Sequence, residues 1–228
     1  MYQALQQNWP IRAVWLAVSL LFSLAPVVQA ASVHWCPAER GVASGRTLSC
    51  APLLRNGDFE AGPDGSWDEE VAPNCQEAGG PCELINNQYT HNESLYGADL
   101  GGYNGASDTL SQAVAIPANA ERVTLSYWWA IDTEETTGGY DFCFVELDDE
   151  NGDLLALLEA ITGDDQEIYV WHRSEFDLTA YKGHTVRLVF HAYTDDNQWS
   201  EFFIDDVDLE ACEVPLARLS YLPLVMRP

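Results

Sequence analysis

Residues that could carry out catalysis are scattered along this chain of 228 residues. The sequence has no Gly-x-Ser-x-Gly turn for a nucleophilic serine, no His-Glu-x-x-His zinc motif and no glycine-rich phosphate loop. Carboxylate pairs suited to glycoside hydrolysis arise by chance among 36 acidic residues, so they carry no information. The histidines stand singly, at no metal-binding spacing: His34, His91, His172, His184 and His191. The sequence therefore indicates a protein that is not an enzyme.

Aromatic residues are better candidates for ligand contacts. Sugar rings present apolar C–H faces that stack on Trp and Tyr, and hydroxyls that pair with planar polar side chains. Trp128 lies on a strand where side chains alternate between two faces, and Trp199 lies in a polar segment. Tyr89, Tyr96 and Tyr103 are interleaved with asparagines. These five residues are the predicted carbohydrate contacts, and packing in the core is the alternative for each.

The first 30 residues are typical of a secretory signal. Arg12 precedes an apolar run over residues 13–24, and Val28-Gln29-Ala30 has the small-x-small pattern of a signal-peptidase site. The apolar run is short for a membrane-spanning helix, which needs roughly 20 residues. The sequence predicts cleavage after Ala30 and a secreted or cell-surface protein that is not inserted in the membrane.

The chain is strongly acidic, with 36 acidic and 10 basic residues and a net charge of −26. Such a chain repels nucleic acid and anionic lipid, so neither is an expected partner. It attracts cations, and calcium is the first ion to consider in an exported protein. The alternative is that the charge serves only solubility.

The cysteines all follow the predicted signal, and their even number favours disulfides in an oxidising compartment. Cys75 and Cys82 enclose a short Gly-Gly-Pro loop and are the first expected pair. The remaining expectation is Cys36 with Cys50 and Cys143 with Cys212, among the 15 pairings that six cysteines allow.

Segments rich in β-branched and aromatic residues alternate with turn residues from Leu53 onward. Asn151-Gly152 is a strong hairpin signal between two such segments. No window shows a sustained helical period. The sequence predicts an all-β protein, an antiparallel jelly-roll β-sandwich over residues 53–212. An N-terminal arm at 31–52 and a C-terminal tail at 213–228 are expected to flank it.

Five short segments follow one another in the predicted domain: Asn-Gly-Asp-Phe-Glu at 56–60 with Trp67, residues 107–112, residues 125–129, Trp171 with residues 176–179, and Phe-Ile-Asp-Asp-Val at 203–207. In this order they resemble galactose-binding-domain-like jelly-roll modules, which include many carbohydrate-binding modules. The ending is more distantly similar to MAM adhesion modules, but the paired cysteines around their first Phe-Glu are absent.

The resemblance implies a calcium ion, because several carbohydrate-binding relatives use one to join the first strand to the last. Glu60 would then supply a carboxylate, Asp58 its backbone carbonyl, and Asp205 or Asp206 a carboxylate from the final strand. Calcium takes six to eight hard oxygen ligands in flexible geometry, which suits this set. The alternative is that Asp205 and Asp206 face water at the end of a strand.

The expected function is non-catalytic recognition of an extracellular polysaccharide or cell-surface glycan, with a structural calcium ion. The alternative is a structural or adhesion domain that binds protein partners at the cell surface. The two differ in whether the predicted aromatic contacts form a concave strip or are buried.

Overall fold

The computed structural model describes residues 47–80, 82–136, 139–163 and 167–215. The predicted signal peptide at 1–30, most of the predicted arm, Cys36 and residues 216–228 of the predicted tail lie outside this part of the chain. None of the described residues belongs to a helix that is long and apolar enough to cross a membrane.

The described chain is almost entirely β-structure, with one four-residue helix, α1 (Cys75–Ala78), and a 3₁₀ turn (Thr179–Tyr181). The strands are β1 (Ser49–Pro52), β2 (Asp68–Glu70), β3 (Ile85–Asn86), β4 (Gly97–Gly101), β5 (Ser107–Ala115), β6 (Arg122–Thr133), β7 (Phe142–Asp148), β8 (Leu154–Ile161), β9 (His172–Asp177), β10 (Thr185–Tyr193) and β11 (Ser200–Glu213).

Two antiparallel sheets form the sandwich. One has six strands in the order β3-β4-β11-β6-β9, with β1 also paired to β11, and the other has five in the order β2-β5-β10-β7-β8. From β4 to β11 every connection except the β7–β8 hairpin crosses from one sheet to the other. The predicted jelly-roll β-sandwich is therefore confirmed.

Alternation along the longer strands, such as β5, β7 and β10, builds the core between the sheets. On β7, Cys143, Val145 and Leu147 are buried while Phe142 and Phe144 point outward. This period of two is the pattern expected for a strand with one covered face. The Asn151-Gly152 hairpin joins β7 to β8 as predicted, and Gly152 takes the left-handed conformation at φ 83° that this turn requires.

The disulfides are confirmed for one pair and wrong for the other two. Cys75 and Cys82 are bonded as predicted. Cys50 is bonded to Cys212, because β1 pairs with the end of β11 and places these two residues directly opposite each other. Cys143 is fully buried on β7 of the other sheet, without a disulfide partner among the described residues. The predicted pairs Cys36–Cys50 and Cys143–Cys212 are therefore corrected.

Candidate functional site

Tyr103, one of the predicted carbohydrate contacts, is buried in the structure. Its side chain is only 1% exposed, and its hydroxyl donates a hydrogen bond of 2.6 Å to the buried Asp108. The ring packs against Ala72, Cys75 and Ala106 beneath the α1 segment. A ring enclosed in this way offers no surface to a ligand, so Tyr103 is a core residue.

Tyr96 and Trp199 lie apart from the other predicted contacts. Tyr96 is half-buried, packs against the main core, and has its ring over Gly62. Trp199 is half-buried in the loop before β11, where its carbonyl accepts the backbone N–H of Glu134 at 3.0 Å. Among the described residues, neither ring stacks on Tyr89 or Trp128, so the predicted set does not form one strip.

Tyr89 and Trp128 are brought together on the outer face of the six-stranded sheet. Tyr89 stacks on Trp171 with ring centroids 5.3 Å apart and an interplanar angle of 2°, and it packs on Phe203 at 4.6 Å. His91 stacks on Trp128 at 4.2 Å. His91 also meets Trp171 edge-on at 5.2 Å and so joins the two stacks, and we call these five residues the aromatic cap. The cap holds the loop before β4 and the loop before β9 against the sheet.

A second aromatic surface lies on the outer face of the five-stranded sheet. Phe142 and Phe144 stack with centroids 5.4 Å apart and an interplanar angle of 7°. On the neighbouring strand β10, Tyr193 lies directly opposite Phe142, and His191 lies opposite Phe144. Tyr193 is 47% exposed. We call these four residues the Phe144 face. The signal that could have identified it is the alternation of outward phenylalanines along β7.

Polar side chains surround the Phe144 face. Glu146 follows Phe144 on the outward side of β7, and burial, with the charge of Asp148, raises the pKa of its carboxyl while His191 opposes the rise. Arg187 donates hydrogen bonds to Asp68 at 2.9 Å and to Ser111 at 3.0 Å. The face therefore combines exposed ring surface with hydrogen-bond donors and acceptors, which is the chemistry of a site for a polyhydroxyl ligand.

The four predicted calcium ligands lie near one another around the β11 bulge, but they do not all converge. Glu60 accepts the backbone N–H groups of Leu95 and Tyr96 at 2.8 and 3.2 Å. Asp205 is buried and accepts the N–H of His91 at 2.8 Å and that of Asp206 at 2.7 Å. Both carboxylates therefore fasten loops.

Asp58 and Asp206 are the two members of the predicted set that share a space. Together with Asn56 they line a cleft of about 390 Å³. The oxygens of Asp58 and Asp206 suit a hard cation such as calcium, while Leu54 and Val207 make another part of the lining apolar. In the part of the chain described, only Cys50, Glu210 and Cys212 bring three potential ligand atoms within 4.8 Å, and the two sulfurs of that group form a disulfide. Calcium binding stays a prediction.

Asp99 on β4 is an unusual buried carboxyl that no sequence pattern indicated. It is fully buried, and neither carboxylate oxygen has a hydrogen-bond partner among the described residues. Burial raises the pKa of Asp99 to about 8, and the negative charges of Glu201 and Asp205 add to the rise. Asp99 is therefore expected to be protonated at neutral pH.

Several solved structures are similar to this chain. A family 61 carbohydrate-binding module in complex with β-1,4-galactotriose is 16% identical, with a TM-score of 0.47 over 70% of this chain and 97% of the module. The K3 adhesin domain of Lys-gingipain from Porphyromonas gingivalis is 17% identical, with a TM-score of 0.48 over 71% of this chain and 99% of the domain. A CBM22-1 xylan-binding domain from Paenibacillus barcinonensis is 16% identical, with a TM-score of 0.41 over 76% of this chain and 99% of the domain. No family model and no curated protein sequence matches the chain.

Proposed function

We propose that this protein is a secreted, non-catalytic recognition module that binds an extracellular polysaccharide or a cell-surface glycan through the Phe144 face. The observation that carries the proposal is the aromatic surface of the half-buried Phe142 and Phe144 and the exposed Tyr193 on one face of a sheet, with charged and hydroxyl side chains around it. Core packing accounts for the inward residues of β7 and β10, whereas no third sheet among the described residues packs against these outward rings.

The dimensions of the face suit an oligosaccharide. Neighbouring strands are about 4.8 Å apart, so five strands give a surface roughly 20 Å wide. A sugar chain lying along β7 and β10 would meet Tyr193 and Phe142 first, and then the polar side chains of Glu146 and Arg187, which lie roughly 13–20 Å further along the same two strands. Rigid rings lose little conformational entropy on binding, whereas the polar groups select hydroxyl positions.

Two features support secretion and a structural ion. The Cys50–Cys212 and Cys75–Cys82 disulfides are typical of proteins that fold in an oxidising compartment. The cleft between Asp58 and Asp206 lies where the chain after β1 meets the β11 bulge, so a calcium ion there would join the start and the end of the domain.

A protein partner is the second candidate, and the edge strand β8 favours it. Leu154, Leu155 and Leu157 are 58%, 45% and 52% exposed at the edge of the five-stranded sheet. An exposed apolar edge strand is a surface on which another chain can add a strand. This candidate predicts that Leu155→Glu abolishes binding of a protein partner and leaves glycan binding unchanged.

The test of the glycan proposal is a panel of soluble oligosaccharides and insoluble polysaccharides, measured by calorimetry and pull-down. We expect binding to one neutral class, weakened at least tenfold in Tyr193→Ala and in Phe144→Ala. Leu155→Ala, a truncation at an exposed position of the same sheet, is the matched control. Circular dichroism verifies that each variant is folded. Absence of binding by the folded protein, or equal binding by wild type and Tyr193→Ala, contradicts the proposal.

A further inference from the structure

A separate polar groove lies on the outer face of the six-stranded sheet, where β9, β6 and β11 run side by side. Its volume is about 270 Å³. Every side chain that lines it is polar: Arg122, Thr124, Ser126, Arg173, Glu175, Asp208 and Glu210. The groove is on the opposite sheet from the Phe144 face, so any ligand it binds occupies a different site.

The charges in the groove are largely paired, which restricts the ligand. Arg173 Nη1 lies 2.8 Å from a carboxylate oxygen of Glu175, and Arg122 Nη2 lies 3.8 Å from one of Glu210. Both pairs are partly exposed, so they are reachable from solvent. A groove whose guanidinium groups already have carboxylate partners has little attraction for an anion. It offers planar donors and acceptors, with the hydroxyls of Thr124 and Ser126, to a neutral hydroxyl-rich ligand.

Trp128 stands at one end of this groove. It is the next outward position after Ser126 on β6, and it lies directly opposite Arg173 on β9. One face of its ring is covered by His91 at a centroid distance of 4.2 Å. The ring is half-buried, and two of its neighbours on the outer face of the sheet, Ser126 and Arg173, line the groove. An aromatic ring beside planar polar groups is the combination that binds a single sugar ring.

The β11 bulge fixes the orientation of Trp128 through His91. The register of β11 against β6 shifts between Asp205 and Asp208, and Asp206 takes a left-handed conformation with φ 48°. Its carboxylate then lies 2.8 Å from His91 Nδ1, while the backbone N–H of His91 donates to Asp205. Bulges commonly re-aim side chains beside functional sites. His91 is thus held once through its ring nitrogen and once through its backbone, which positions the imidazole against the tryptophan ring.

We propose that Trp128 and this groove form a second binding site, specific for one neutral hexose or pentose unit of a glycan. The site does not depend on the Phe144 face, because the two lie on opposite sheets. With both sites occupied, one molecule would hold two glycan chains, or two parts of one chain, on its two sides. Such bivalent contact raises the overall affinity without any new interaction.

The test is a titration of the ¹⁵N-labelled full chain, followed by amide chemical shifts, with methyl β-D-galactopyranoside, methyl β-D-glucopyranoside and methyl β-D-xylopyranoside. We expect saturable shifts at Ser126, Arg173 and Asp208 with at least one of these sugars. The affinity should fall at least tenfold in Trp128→Ala and about threefold in Asp208→Asn. Asp208 is exposed and carries no ion pair among the described residues, so its substitution tests the site even where Trp128→Ala fails to fold.

Tyr193→Ala serves as the matched control, because it alters the Phe144 face and leaves the groove intact. Unchanged monosaccharide shifts in Tyr193→Ala, together with lost oligosaccharide binding, support two independent sites. The second site is refuted by an absence of saturable shifts around the groove with all three sugars. It is also refuted if Trp128→Ala and Asp208→Asn bind the three sugars with the same affinity as the wild type. Neither refutation affects the Phe144 face, whose test uses different variants and oligosaccharides.

Discussion

Replacing Asp99 with asparagine should change how the stability of the protein depends on pH. The folded protein keeps this carboxyl fully buried without a hydrogen-bond partner among the described residues, and its pKa is about 8. In the unfolded chain the same group has the ordinary value of 3.8. Between these two values the unfolded chain has lost the proton and the folded chain retains it.

The sign and size of the effect follow from linkage. A raised carboxyl pKa leaves stability unaffected below about pH 4 and lowers it as the pH rises toward 8. Each pH unit in this range lowers the free energy of unfolding by about 1.4 kcal/mol. The total loss of stability, relative to a pH below 4, is about 4 kcal/mol at pH 7 and about 6 kcal/mol above pH 8. Asparagine at position 99 cannot ionise, so this loss disappears. The buried asparagine amide makes no hydrogen bond, as the carboxyl makes none. This lowers the free energy of unfolding by about 1–3 kcal/mol at every pH.

Urea denaturation of the wild type and of Asp99→Asn at pH 5, 6, 7 and 8, with EDTA present, measures the effect. The difference in free energy of unfolding between the two proteins should move in favour of Asp99→Asn by about 1.4 kcal/mol per pH unit and level off above pH 8. Asp58→Asn, on the exposed surface, is the matched control. A difference for Asp99→Asn that stays constant within about 0.5 kcal/mol from pH 5 to 8 would refute the reasoning.

Two further predictions concern the covalent and ionic links of the domain. Replacing Cys50 and Cys212 with alanine should lower the free energy of unfolding by about 5 kcal/mol, and replacing Cys75 and Cys82 should lower it by about 2.5 kcal/mol. The first disulfide joins residues 162 apart in sequence and the second joins residues 7 apart, and a longer loop restricts the unfolded chain more. Chemical denaturation of the two double variants checks the order, and an equal loss in both contradicts it. Calcium at a hundredfold excess over its dissociation constant should stabilise the wild type by about 2.7 kcal/mol and Asp206→Asn much less. If calcium raises the unfolding temperature of both proteins equally, Asp206 is not a calcium ligand.

The strand pattern was predictable where a strand carries its own alternation, as β7, β9 and β10 do. Val145 and Leu147 on β7 indicate a covered face without any knowledge of their partners, and the Asn151-Gly152 turn fixes the hairpin locally. The pairing of Cys50 with Cys212 depends instead on the register between β1 and β11, which no local pattern contains. The burial of Tyr103 likewise depends on a distant segment, α1, that packs over its ring.

Asp99 could not have been recognised from its sequence either. An acidic residue in the segment Gly97–Gly101 is most simply taken as solvent-facing, because aspartate is rarely buried without a partner. Its burial arises where β4 pairs on both edges, with β3 and with β11, and where Phe203 lies directly opposite it on β11. Phe203 is itself covered by Tyr89 of the aromatic cap. Three segments far apart in sequence therefore create the environment that shifts its pKa.

The charge of the chain limits which glycans both proposed sites can bind. A net charge of −26 repels uronate-rich or sulfated polysaccharides at distances within about 10 Å at ordinary salt concentrations. The few arginines near the two sites do not overcome this repulsion, because Arg187 is bound to Asp68, and Arg173 and Arg122 are paired with carboxylates of their own sheet. What remains available for recognition on both faces is aromatic surface, paired charges and unpaired carboxylates such as Asp208, which repel anions as well. The acidity of the protein and the pairing of its cations thus favour the same ligand class, a neutral glycan whose binding changes little with ionic strength.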